Sequence, residues 1–329
     1  IDIQRNINLD LINSCISNFF DKSHDKIFLK HLRILILELY ICWKESGNQF
    51  LSVSMSKRGY KSKSRYNPNG ISSYLIKIIN FLKVNNLIEF YPGFGGGSGF
   101  GVGICKKFAE EGARVIVSDI NLSSAKKVAN DINGTALEVD VSDSMSMKGF
   151  SEKVFSKFGN LDIMVNNAGV THLPAPMETI SEEEFDRVLN INVRSIYLSA
   201  INFIPHMKLN KSGVILNMAS TAGISPRPNL NWYNASKGWV ITATKAMAVE
   251  LAPFNVRVNA LNPVAGETPL LKAFMGEDTP EIREKFLSTI PIGRFSTPED
   301  LGNAACYLCS DEASMITGVA MEVDGGRCI

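Results

Sequence analysis

An apolar run ending in a serine, then a loop, then a tyrosine and a lysine four residues apart limits this chain more than any other feature. The run is Val214 to Met218, the serine is Ser220, and Tyr233 and Lys237 follow. This order predicts a buried strand that delivers Ser220 at its end. It also predicts a helix with phenol and ammonium on one face, since positions i and i+4 are neighbours there. A cation beside a phenol favours the phenolate and draws down a pKa that is ordinarily about 10. A tyrosine so tuned can exchange a proton with a carbonyl or alcohol oxygen near neutral pH.

Tyr and Lys at this spacing also arise on solvated helix faces, so the surrounding motifs decide. Upstream lies Gly95, Gly96, Gly97, Ser98, Gly99, Phe100 and Gly101, a turn in which the backbone can approach a pyrophosphate closely. A helix over 102–111 follows, stopping at Gly112, and then a strand over 114–118 ending at Asp119. An acidic side chain there accepts both ribose hydroxyls of NAD and repels the 2′-phosphate of NADP. A strand over 135–141 ends in Asp140 and Val141, and one over 161–165 leads into Asn166, Asn167, Ala168 and Gly169. A helix over 181–198 opens on Ser181 with Glu182, Glu183 and Glu184 in its first turn, and carries Asn190 and Asn192.

On these residues the chain resembles the short-chain dehydrogenase/reductase family over roughly 95–329. The resemblance implies a doubly wound α/β fold with a parallel, Rossmann-type sheet. It implies an NAD(P)-dependent oxidoreductase that moves a hydride between a nicotinamide and an alcohol or carbonyl, with NAD favoured over NADP. Tyr233 would be the general acid/base, Lys237 would tune it and bind the nicotinamide ribose, Ser220 would hydrogen-bond the substrate oxygen, and Asn192 would complete a proton relay through a water. Asn190 is left as structural.

In the same pattern Gly95, Ser98, Gly99, Phe100 and Gly101 would hold the cofactor, Asp119 its ribose, and Asp140 with Val141 its adenine. Asn167 and Gly169 would line the cleft, and Pro263, Gly266 and Thr268 would meet the nicotinamide, although Val264 stands where the family usually has glycine. Residues 269–291 would form a helical lid, in a text similar to a branch acting on aryl sulfonates. His172, Arg227 and Trp232 would then either recognise an anionic or aromatic substrate or serve as loop packing. The ending Asp324, Gly325, Gly326 is similar to that of members that form homotetramers.

Residues 1–92 have a different character. They hold 13 Lys and Arg against 7 Asp and Glu, whereas the remainder holds 21 against 26. Helical patterns over 28–43 and 71–82, a basic loop over 54–70 with Tyr60 and Tyr66, and a short strand over 87–91 suggest a smaller, mainly helical, winged-helix-like segment. Residues 54–91 are therefore a candidate nucleic-acid contact, against the alternative of a solvated loop. The boundary at 92/93 is awkward. The central first strand of the sheet must come from 87–94, yet Glu89 is costly in a strand buried on both faces and Pro92 cannot donate to a central ladder.

One expectation is thus an unrelated segment spliced onto a dehydrogenase that lacks its own first strand. The competing function is a DNA-binding or regulatory fusion with an inactive dehydrogenase-like body. The six cysteines show no disulfide framework, and Cys306 with Cys309 lies in an apolar helical run, so core packing is expected rather than a metal. The acidic, polar start shows no targeting run and 34–43 is too short to span a membrane, which predicts a cytoplasmic protein.

Overall fold

In the computed structural model, which describes residues 90–329, the strands run parallel in the order β3-β2-β1-β4-β5-β6-β7. They are β1 (Phe90–Phe94), β2 (Arg114–Asp119), β3 (Thr135–Glu138), β4 (Ile163–Asn166), β5 (Gly213–Met218), β6 (Val256–Pro263) and β7 (Ala320–Val323). Every residue of β4 is buried, and β5 and β6 each have a single partly exposed position. Such continuous burial requires helices on both faces. The alternation within β2 shows the two faces: Val115 and Val117 enter one core cluster and Ile116 the other.

On the first face lie α1 (Gly99–Glu110), α2 (Leu122–Asp131) and α9 (Pro298–Cys309). Helix α9 crosses α1 at Gly103, where a Cβ would overlap the Pro298 carbonyl, so only glycine permits that approach. On the second face lie α3 (Ser144–Phe158), α5 (Ser195–Asn210) and α6 (Asn231–Leu251). There Phe203 packs between Phe150 and Phe155, with ring centroids 6.1 and 5.6 Å away. The remaining helices are α4 (Glu182–Leu189) and two short ones, α7 (Leu271–Met275) and α8 (Pro280–Leu287), within the expected lid. Among the described residues no helix is long and apolar enough to cross a membrane, and no group of three or more His, Cys, Asp or Glu could hold a metal.

Strand β1 answers the question left at the boundary. It pairs with β2 from Phe90 to Phe94 but with β4 only at Gly93 and Phe94. Pro92 therefore has a strand on one side only, and its missing donor costs at most one ladder position. The strand is described over Phe90–Phe94, and Glu89, the costly residue of the sequence reading, lies outside the described residues. The central position of the sheet is thus filled by Phe90–Phe94. The candidate nucleic-acid contact at 54–91 and the winged-helix reading of 1–92 lie almost wholly outside the described residues.

Other boundaries moved for local reasons. Helix α1 starts at Gly99 rather than 102, and β3 stops at Glu138, short of Asp140 and Val141. The expected helix over 181–198 is α4, a π-helical turn Asn190–Arg194, and then α5, which runs on to Asn210. The π turn coincides with the asparagine singled out from the sequence, and such insertions often sit at functional sites.

Candidate active site

The sheet order reverses between β1 and β4, and in open α/β sheets the crevice beyond the carboxyl ends of strands at such a point is where ligands bind. At that edge the glycine turn is held by its backbone. Gly95 has φ +72° and Gly99 φ +54°, and Gly96 N–H donates to the Ser118 carbonyl at 3.1 Å. Asn167 Nδ2 donates to the Gly95 carbonyl at 3.1 Å, which ties the Asn-Asn-Ala-Gly turn to the glycine turn. A Cβ on Gly101 would overlap the Gly95 carbonyl, so this glycine closes the turn rather than facing the cleft.

Helix α1 has no side-chain cap at Ser98, which leaves its first N–H groups available to an anion. Asp119 sits over the turn, with Oδ2 accepting from Gly97 N–H at 3.1 Å and Oδ1 from Asn121 N–H at 2.9 Å. An uncapped helix start, a turn closed by glycine and a carboxylate beside it together fit a dinucleotide.

Strand β5 carries the chain to Ser220, whose Oγ accepts from Ala222 N–H at 3.1 Å. The face of α6 that packs inward includes Tyr233, Ser236, Lys237, Val240 and Thr244, so the helical repeat buries both the phenol and the ammonium. Lys237 Nζ donates to the Met218 carbonyl at 2.8 Å and lies 5.9 Å from the centre of the Tyr233 ring. Burial lowers the lysine pKa to about 8. Burial also pushes Tyr233 up to about 12, against the opposing pulls of the Ser220 hydroxyl and Arg227.

This corrects the expectation of a phenolate drawn down by Lys237. Desolvation outweighs the neighbours, and the phenol is protonated at neutral pH in the unliganded chain.

Asn192 is 2% exposed, and both its amide hydrogens are committed. Nδ2 donates to the Val170 carbonyl at 2.9 Å and to Ser236 Oγ at 3.0 Å, while Oδ1 accepts from Val170 N–H at 2.8 Å. The side chain thus clamps the segment after Gly169 to α6. A Cβ on Gly169 would stand 3.2 Å from Lys237 Nζ, so the turn runs directly against the ammonium.

A cavity of about 330 Å³ joins these parts. The glycine turn contributes Gly95, Ser98, Gly99 and Phe100, the next turn Asn167 and Gly169, and the helix side Ser220, Tyr233 and Lys237. Pro263, Gly266 and Thr268 close the far wall. Of the other residues anticipated from the sequence, Gly101, Asp119 and Asn192 support the lining without joining it. Asp140 and Val141 lie away from it: Asp140 Oδ1 accepts from both Ser142 N–H and Ser142 Oγ, and Val141 packs in the core.

Arg227 lines the cavity. Trp232 does not; its Nε1 donates to the Met177 carbonyl at 3.3 Å and its ring meets Phe185 edge-on. His172 is likewise buried away from the cavity, with Nδ1 2.8 Å from the Leu173 carbonyl. Three contributors had no sequence signal. Phe274 meets the Tyr233 ring edge-on at 5.1 Å, Phe286 lies under Arg227, and Arg327 reaches the cavity-lining Ser225 from the C-terminus.

Comparison with known proteins agrees with this geometry. Residues 93–327 match a family model described as enoyl-(acyl carrier protein) reductase. A 4-formylbenzenesulfonate dehydrogenase of Comamonas testosteroni is 46% identical over 241 residues, covering 71% of this chain and 96% of that one. A 3-oxoacyl-(acyl-carrier-protein) reductase of Thermotoga maritima is 39% identical over the same length, with the same coverage. Among solved structures, the 3-ketoacyl-(acyl-carrier-protein) reductase of Brucella melitensis in complex with NADH aligns with a TM-score of 0.71 at 49% identity, covering 74% of this chain and 99% of that one. The chain belongs to the short-chain dehydrogenase/reductase family. It is an oxidoreductase that acts on CH–OH groups with NAD(P).

Proposed function

We propose that the chain is an NAD-preferring dehydrogenase or reductase of a small alcohol/carbonyl pair, with Tyr233 as its general acid/base. The observation that carries this reading is the meeting of Ser220, Tyr233 and Lys237 in one cavity with an uncapped, glycine-built helix start. A bound nicotinamide supplies the hydride chemistry. In the reducing direction the protonated phenol of Tyr233 gives its proton to the substrate oxygen, which Ser220 holds by a hydrogen bond. In the oxidising direction the proton returns to Tyr233. Lys237 holds positive charge beside the phenol and so favours the phenolate left after transfer.

Asn192 acts by position, because its amide hydrogens already bond Val170 and Ser236. Asp119 supports NAD over NADP, since a 2′-phosphate would meet a carboxylate whose orientation two backbone N–H groups fix. The pairing of Phe90–Phe94 with β2 and β4 supports the active reading over that of an inactive scaffold.

Replacing Tyr233 with Phe tests the assignment. Turnover is expected to fall by roughly 10²–10⁴-fold while NADH affinity and the unfolding transition are retained. Retained turnover would end the assignment.

A further inference from the structure

One arginine lines the cavity and a second reaches its wall, and neither has an acidic partner among the described residues. Arg227 lines the cavity, with Cζ 4.3 Å from the centre of the Phe286 ring. Arg327, from the turn after β7, places Nη1 3.4 Å from the hydroxyl of Ser225, which also lines the cavity. The buried Nε of Arg327 has no hydrogen-bond partner. Among the described residues no carboxylate pairs with either guanidinium, whereas Arg187, Arg283 and Arg294 each have one. Burial, and then the charge of Arg327, lower the pKa of Arg227, while Tyr233 pulls the other way. The wall between these cations and Tyr233 is aromatic, made by Phe274 and Phe286.

Half-buried guanidinium groups that repel each other and lack acids are costly unless a ligand anion completes them. We propose that the cavity takes a small alcohol or carbonyl compound bearing an anionic oxygen-rich group, a sulfonate or a carboxylate, away from its reacting carbon. Arg227 is the direct contact, because its planar fork of donors suits such a group. Arg327 supplies the second charge beside Ser225, and the phenylalanines enclose the part of the substrate in between. This specificity rests on the catalytic reading above, but its binding arm can be tested apart from turnover.

The test is calorimetric titration of the full chain, with and without saturating NADH. The probes are 4-(hydroxymethyl)benzenesulfonate, 4-(hydroxymethyl)benzoate and neutral benzyl alcohol. At least one anionic probe is expected to bind about 10-fold or more tighter than benzyl alcohol, as expected for a charge-assisted contact. The Arg227→Met variant should erase that advantage, so that charged and neutral probes bind it about equally well. Arg227→Lys should restore part of it, and Arg327→Met should reduce it by a smaller factor. The two anionic probes separate a sulfonate from a carboxylate preference.

Equal affinity for charged and neutral probes would overturn the proposal, as would an advantage that survives in both Met variants. Equal loss of charged and neutral binding in Arg227→Met would assign that residue to packing and overturn it too. Tight, Arg227-dependent anion binding without any turnover would sustain the pocket while contradicting the catalytic reading.

Discussion

Helix α6 and the expected lid over 269–291 both line the same cavity, yet they are built to opposite standards. Helix α6 buries Tyr233, Asn234, Ser236, Lys237, Val240, Thr244, Ala248 and Leu251 against the sheet. In the lid, α8 has no fully buried residue. That segment is held by a small cluster of Val264, Leu271, Met275, Ile290 and Phe295, by the Thr279 cap on Ile282 N–H, and by the surface pair Asp278–Arg283. Proton transfer needs groups fixed to within tenths of an ångström, and dense packing with committed hydrogen bonds supplies this. Admission and release of substrate need the opposite, and thinly buried elements open at low cost. In the proposed reading, the side that carries the chemistry is densely packed, and the side that covers the substrate is lightly held.

The largest effect that could break this contrast is on the α6 side, where Tyr233→Phe should remove most turnover, as stated above. Next is the floor beneath the cofactor. Gly101→Ala forces a methyl against the Gly95 carbonyl, and overpacking of this kind costs about 1–3 kcal/mol. NADH affinity, read by fluorescence titration, should weaken correspondingly, while the melting curve moves less than it would for a core cavity.

A third prediction concerns the buried pair itself. Lys237 has a folded pKa of about 8, below its ordinary 10.5, so between those values the unfolded chain holds more protons and stability rises with pH. Tyr233 has a folded pKa of about 12, above its ordinary 10.0, so its share of stability is lost as pH climbs through that interval. Denaturant unfolding at pH 7–11 should therefore show wild type gaining on Lys237→Met from about pH 8 to 10, by an amount on the order of 1–3 kcal/mol. Above pH 10 it should lose ground against Tyr233→Phe. A flat difference across that range would mean that the ammonium is solvated, and α6 would not be the densely packed wall described.

The smallest effect belongs to the lid. Phe286→Leu should raise KM a few-fold with kcat nearly unchanged, because it removes the ring beneath Arg227 from a thinly buried helix and leaves α6 untouched. A large fall in kcat would show that the lid holds the chemistry as tightly as α6 does.

Much of the densely packed side was legible in the sequence because its signals are local. The i and i+4 spacing of Tyr233 and Lys237, the strand end at Ser220 and the cap residue Ser181 are all fixed by a few neighbours in the chain. What escaped depends on distant partners. The π turn at Asn190–Arg194 accompanies bonds between Asn192 and Val170, and the acceptance of Pro92 in β1 depends on where β4 begins to pair. The tyrosine pKa was misjudged because the spacing showed the lysine but not the burial that outweighs it. Arg327 reaches the cavity-lining Ser225 from 102 residues further along the chain, a proximity that no motif encodes.

The most direct test is a fluorescence titration of the full chain with NADH and, in parallel, NADPH. The account predicts saturable NADH binding and markedly weaker NADPH binding, because β1 holds the glycine turn in place and Asp119 faces the ribose site. Absence of binding by either nucleotide would contradict it, since Phe90–Phe94 would then not serve as the first strand of a working cofactor site.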